Sequence, residues 1–389
     1  MPGEKPQAAA PKQPVVGLVM AGGGARAAYQ VGVLKAIAEM LPDDCPNPFP
    51  VLCGTSAGAI NAAVLAVYAR RFHTGVRRLN YVWRNFRVHR VYRSDALGIL
   101  KTGLHWIAAM LLGGLGKRNP NALLDRTPLL ALLEQTIPCD EIQKSIDAGA
   151  LRALSITCSG YNSGQSVSFY QGVDSLTSWK RARRVGAAAR ITLDHLMASS
   201  AIPFMFAAVP INREYFGDGS MRQEAPVSPA LHLGADRVLV IGVRHDAPPP
   251  ARADAEYPTL AQIAGHVLNS IFLDALEVDV ERLQRINKTI SLIPEDHLRE
   301  GNVTLRPVDV LVISPSQDLE RIAAKYAQDL PRPVRVLFRG LGAFSRGGSN
   351  LVSYLLFEKP YTRALIGLGY ADAMMRRKEI LDFLGVEGR

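Results

Sequence analysis

Cysteine is scarce in this 389-residue chain, with only Cys45, Cys53, Cys139 and Cys158 and no Cys-x-x-Cys pair. That spacing argues against a dithiol redox motif and a cysteine-rich metal site. Cys53 and Cys158 lie inside apolar runs and read as buried free thiols, a usage that fits a reducing cytoplasm. Acidic residues are also short: 35 Asp and Glu against 45 Lys and Arg leave a net charge of +10. Such an excess favours an anionic lipid surface or nucleic acid and does not choose between them. Uninterrupted apolar runs of bilayer length are missing too. The nearest, residues 15–34, is broken by Gly22, Gly23, Gly24 and Arg26, which suits a strand–loop–helix and not a spanning helix. Residues 1–14 are rich in Pro, Ala, Gln and Lys and lack the apolar core of a signal peptide, so a disordered leader is expected.

What is present is an ordinary globular composition, 48% hydrophobic. Short apolar runs at 15–21, 50–54, 151–159, 165–171, 213–217, 237–243 and 308–313 read as strands. Helical spacing over 27–41, 57–70, 191–201, 259–287 and 362–384 fills the intervals, and Thr127-Pro128 reads as a helix start. Strand, glycine turn and helix in repetition imply an α/β fold with a mostly parallel sheet between helical layers. A Pro-rich stretch, 247–258, reads as a loop. Residues 85–126 do not alternate in this way and read as a helical insertion. Within it the apolar segment 97–115 is a candidate lid, with a buried core helix as the plain alternative. The chain is therefore divided into a leader (1–14), a catalytic domain (15–318) and a mostly helical C-terminal extension (319–389).

Three motifs carry chemistry. Gly54-Thr55-Ser56-Ala57-Gly58 is a G-x-S-x-G between a strand and a helix, the setting of a nucleophile elbow. Gly22-Gly23-Gly24-Ala25-Arg26 ends the first strand and opens the first helix, where backbone N–H groups receive an anion and Arg26 adds positive charge. The same glycines fit a dinucleotide fingerprint, but the acidic residue that fingerprint needs after the second strand is missing. No Gly-Lys-Ser/Thr follows them, which excludes a P-loop. Phe216-Gly217-Asp218-Gly219-Ser220 presents one carboxylate after a short strand. A bare Asp-Gly is most often a turn, but a serine nucleophile needs a base. His232 and His245 follow Asp218 and leave a Ser-Asp-His triad open.

In this order the three motifs, with Ala198-Ser199-Ser200-Ala201-Ile202-Pro203 ahead of the third, resemble the patatin-like phospholipase family over residues 15–314. The resemblance implies a patatin-like three-layer α/β/α fold, with Ser56 as nucleophile and Asp218 as its only partner. It assigns Gly22, Gly23 and Gly24 to the oxyanion hole, with Arg26 beside them. Ser220 departs from the Gly or Ala usual after the Asp-Gly pair. The implied activity is cleavage of phospholipid or lysophospholipid esters. An acyltransferase or thioesterase on the same elbow is the alternative. No cofactor, metal or nucleic acid is expected. Arginines from Arg70 to Arg93, interleaved with Tyr81, Trp83, Phe86 and Tyr92, suit peripheral contact of a cytoplasmic protein with an anionic membrane surface. A solvated helical face is the plain reading of the same cluster.

Overall fold

The computed structural model describes residues 14–95, 98, 105, 121–245, 259–272, 274–294, 297, 306–340, 342–344 and 349–386. Nearly all of the expected leader, the candidate lid and the loop 247–258 lie outside these residues.

Ten strands form one sheet. They are β1 (Val16–Met20), β2 (Val51–Thr55), β3 (Ala153–Gly160), β4 (Ser166–Gly172), β5 (Trp179–Arg181), β6 (Arg184–Ala188), β7 (Val209–Ile211), β8 (Glu214–Asp218), β9 (Arg237–Ile241) and β10 (Asp309–Ile313). The order β10-β9-β1-β2-β3 is parallel throughout, and β3 then pairs antiparallel with β4. The segments 27–41 and 57–70 become α1 (Ala28–Met40) and α2 (Ala57–Val67); α3 (Phe72–Arg84) follows, and later helices reach 18 residues in Asp274–Ser291. Alternating residues of the central strands enter two separate cores. Leu18, Met20, Leu52, Leu239 and Ile241 join one face, whereas Val19, Val51, Cys53, Val238 and Val240 join the other. Both faces of the sheet are thus covered, as a parallel sheet requires, and the fold is a three-layer α/β/α.

Several boundaries differ from the sequence expectations. The helical segment 259–287 is two helices, Leu260–Phe272 and Asp274–Ser291, and 362–384 is likewise two, Lys359–Met375 and Arg377–Leu384. The described parts of the insertion 85–126 hold the 3-10 turn Val88–Arg90 and helical positions at Gly98 and His105, while most of the insertion lies outside the described residues. The C-terminal helices are no appendage. Lys359–Met375 lies so close to α1 that a Cβ on Gly32 would meet the Ile366 carbonyl oxygen at 2.1 Å, and one on Gly369 that of Tyr29 at 2.2 Å. Tyr354, Leu355, Tyr361 and Leu365 belong to the same core as α1 and α2. A buried relay also joins the first three helices: Trp83 donates to Asn61 (2.9 Å), Asn61 to Gln30 (3.0 Å) and Gln30 to the Ala21 carbonyl (2.7 Å). Among the described residues, no helix is long and apolar enough to cross a membrane.

Candidate active site

Strand β3 is longer than its neighbour β2, and that difference builds the site. Its first part pairs with β2, up to Thr55 opposite Thr157. Beyond that point β8 takes over the same edge, with Asp218 opposite Cys158. The residue after Thr55 is Ser56. Two residues 162 positions apart in sequence are therefore brought side by side along one strand edge.

Ser56 sits at φ 54°, a left-handed conformation that costs a non-glycine residue on the order of 1–3 kcal/mol. The flanking glycines permit it. A Cβ on Gly54 would lie 2.5 Å from the Gly58 oxygen, and one on Gly58 2.3 Å from the Met20 oxygen. The Ala198–Pro203 block, which in the sequence had no assigned role, fixes both partners. Ser199 Oγ accepts from the Ser56 N–H (2.9 Å) and donates to the Thr157 carbonyl (2.7 Å). The Ala201 carbonyl accepts from the Asp218 N–H (3.0 Å).

Asp218 is fully buried, and burial lifts its carboxyl pKa from an ordinary 3.8 to about 6. The Ser56 hydroxyl, the Ser220 N–H and hydroxyl, and the charge of Arg126 each pull it back. Oδ1 accepts from the Ser220 N–H at 3.0 Å. Oδ2 receives no fully formed hydrogen bond among the described residues, a loose arrangement common in unliganded catalytic sites. Gly219 is required for the approach, because its Cβ would lie 2.0 Å from the Thr157 oxygen. The departure at Ser220 thus has a consequence: its hydroxyl stabilises the carboxylate.

The glycine loop leaves β1 beside the elbow. Gly24 has φ 54° and lines the same cavity as Ser56. Among the described residues, no carbonyl takes up the N–H of Gly23 or Gly24. Arg26 departs from expectation. Its guanidinium turns away into the protein and donates to Ser353 (2.8 Å) and Asn350 (2.8 Å). It also stacks 4.1 Å from the Tyr354 ring and pairs with Glu320 at 3.4 Å. It is absent from the cavity wall. The reason is local: in the 3-10 turn Gly24–Ala27 just ahead of α1 its side chain faces the C-terminal segment, and the Tyr354 carbonyl is what a Cβ on Gly24 would strike, at 2.2 Å. Arg26 is therefore a clamp on the loop.

The positive charge near Asp218 comes instead from Arg126, which sequence reasoning missed. Arg126 is buried, donates to the carbonyls of Met197 and Ala207, and lies over the Phe206 ring. It stands in an unremarkable Asp-Arg-Thr-Pro turn, where only burial sets it apart. The histidines lead elsewhere. His232 stacks on Trp179 at 4.6 Å, His245 shares a hydrogen bond with the Pro315 carbonyl, and His195 completes a capping box with Thr192. None is among the groups that shift Asp218.

With this geometry in view, the comparisons with known proteins are direct. The sequence profile of the patatin-like phospholipase family matches residues 18–231, more than half of the chain. The chain belongs to the patatin-like phospholipase family, and it is accordingly a hydrolase of the lipid acyl class. No curated protein matches. Among solved structures, VipD from Legionella pneumophila is similar at 12% identity and a TM-score of 0.35, covering 95% of this chain and 67% of that one.

Proposed function

We propose that the protein cleaves carboxylic esters of phospholipids or lysophospholipids through an acyl-serine intermediate, with Ser56 as nucleophile and Asp218 as its only base. The observation that carries this reading is the shared β3 edge, with Thr55 opposite Thr157 and Asp218 opposite Cys158. A serine hydroxyl is a poor nucleophile until its proton has an acceptor. An ordinary aspartate, titrating near 3.9, holds protons too weakly to serve well. At about 6, Asp218 is both ionised at neutral pH and basic enough.

In the first step Ser56 Oγ attacks the ester carbon and its proton passes to Asp218. The carbonyl oxygen becomes an oxyanion beside the N–H groups of Gly23 and Gly24. Each such donor contributes on the order of 2.7–4 kcal/mol to the transition state. Collapse breaks the carbon–oxygen bond, and Asp218 returns the proton to the departing alcohol. In the second step Asp218 takes a proton from water as it attacks the acyl carbon. Ser56 leaves with that proton and the fatty acid is released. Peripheral contact with an anionic membrane fits the length of the cavity, along which Arg77, Arg78, Arg87 and Arg90 are exposed and Tyr81 is 72% exposed.

The test is fluorophosphonate labelling and a panel of lipid esters, run on wild type, Ser56→Ala and Asp218→Asn. Labelling confined to Ser56, with both variants inactive and folded, is the expected result. Wild-type rates in Asp218→Asn, or their loss in a His232 or His245 variant, end the dyad.

A further inference from the structure

The cavity that begins at Ser56 encloses about 760 Å³. One wall is a single stripe of α2 and the residue beyond it: Ala57, Ile60, Val64 and Tyr68, spaced three or four apart so that they share a face. At 1.5 Å per residue the wall runs about 18 Å from Ser56 to Tyr68, the reach of a long fatty acyl tail. Leu129 and Leu133 of the helix Thr127–Thr136 face it. Tyr68 marks the far end, with the Arg78 guanidinium 5.3 Å above its ring.

The near end is different. Lys359 and Arg90 line it, and they are held together because the Val88 N–H donates to Glu358 at 3.2 Å. The segment that carries Lys359 is also the one whose Tyr354 carbonyl seats Gly24. Among the described residues that line the cavity, five are Lys or Arg and none is Asp or Glu. One of the five, Arg87, pairs with Glu358 at 3.8 Å, so the excess positive charge at the rim rests on the other four and favours an anion.

We infer that the cavity is a channel for one long acyl tail, laid along α2 from the Ser56 ester to Tyr68, with Arg90 and Lys359 taking a phosphate-bearing headgroup on the leaving side. This rests on the acyl-serine reading and names its substrate class: single-chain lipids with an anionic head. Val64 and Tyr68 are then the residues that set chain length.

The experiment uses the full chain and a ladder of p-nitrophenyl esters from butyrate to palmitate. Val64→Trp narrows the channel, and the palmitate-to-butyrate rate ratio falls by roughly tenfold or more. Tyr68→Ala opens the far end, and the optimum moves to longer chains; this arm needs no added volume in the core. In mixed micelles, wild type prefers lysophosphatidylglycerol to lysophosphatidylcholine, and the double variant Arg90→Gln/Lys359→Gln loses that preference. Ser56→Ala, which forms no acyl-enzyme, binds a fluorescent long-chain fatty acid that palmitate displaces and butyrate does not. A ladder of the same shape in both channel variants, with Ser56→Ala inactive, overturns the channel and leaves the acyl-serine reading standing. Absence of ester cleavage by wild type overturns the acyl-serine reading and the substrate class with it. Failure of the fatty-acid binding arm overturns the channel by itself.

Discussion

Ser56 and Asp218 meet at one strand edge but are prepared by opposite means. Ser56 is prepared by its own backbone: a left-handed turn, two glycines that remove steric barriers, and a helix that begins at the next residue. Asp218 is prepared by its surroundings: complete burial, a neighbouring serine, and a strand that reaches it from another part of the chain. One residue carries conformational strain and the other carries desolvation. The pair teaches that one candidate site can store its cost in more than one form, and that each form responds to a different perturbation.

The largest expected effect falls on both members together. If the proposed dyad holds, Ser56→Ala and Asp218→Asn each lower kcat by about 10⁴-fold or more, because neither half of a proton-transfer pair works alone. Measured kcat on a soluble ester decides it, and a drop in only one variant breaks the symmetry of the pair. Stability then separates them. Asp218 has a folded-state pKa above its unfolded value, so the folded form holds its proton more tightly. The fold is penalised as the pH rises from about 3.8 through 6, and the penalty is complete above that window. The difference corresponds to about 3 kcal/mol. Asp218→Asn should therefore raise the melting temperature at pH 8, and the gain should shrink as the pH falls below 6. Ser56→Ala keeps the strained turn, and Ser56→Gly relieves it, for a gain of about 1 kcal/mol that does not depend on pH.

Smaller effects sharpen the contrast. Gly58→Ala drives a Cβ against the Met20 oxygen and Gly219→Ala drives one against the Thr157 oxygen; each should lose about 1–3 kcal/mol of stability by overpacking, seen in denaturant melts. The activity profile should rise with pH through a midpoint near 6, where Asp218 ionises. Ser220→Ala removes a donor to that carboxylate and moves the midpoint upward, with up to roughly a fivefold loss of rate at pH 6. Arg26→Met acts on neither residue directly. It frees the glycine loop from Asn350 and Ser353, so kcat should fall several-fold with little change in KM. A pH midpoint that shifts in Arg26→Met would assign it a role beside the carboxylate.

The parts of the molecule that could be read in advance are those whose signal is local. Val16–Met20 and Val51–Thr55 are short apolar runs stopped by small residues, and their strand character follows from that alone. The pair β5–β6 was missed because Trp179-Lys180-Arg181 and Arg184-Val185-Gly186 carry charges and glycine, as exposed edge strands do. The breaks within residues 259–291 and 359–384 were missed because apolar spacing continues across them. Arg126 was missed because its part depends on being buried near a carboxylate 92 positions away.

The sequence by itself determined the elbow, the glycine loop, the Asp-Gly turn and the alternation that makes a three-layer fold, because each rests on steric and periodic rules that act over a few residues. Only the tertiary structure decided that Asp218 lies on the same strand edge as Ser56, that Arg26 faces the C-terminal helices while Arg126 supplies the charge, and how far the cavity runs along α2. Those outcomes depend on strand register and burial, which are properties of the packed whole.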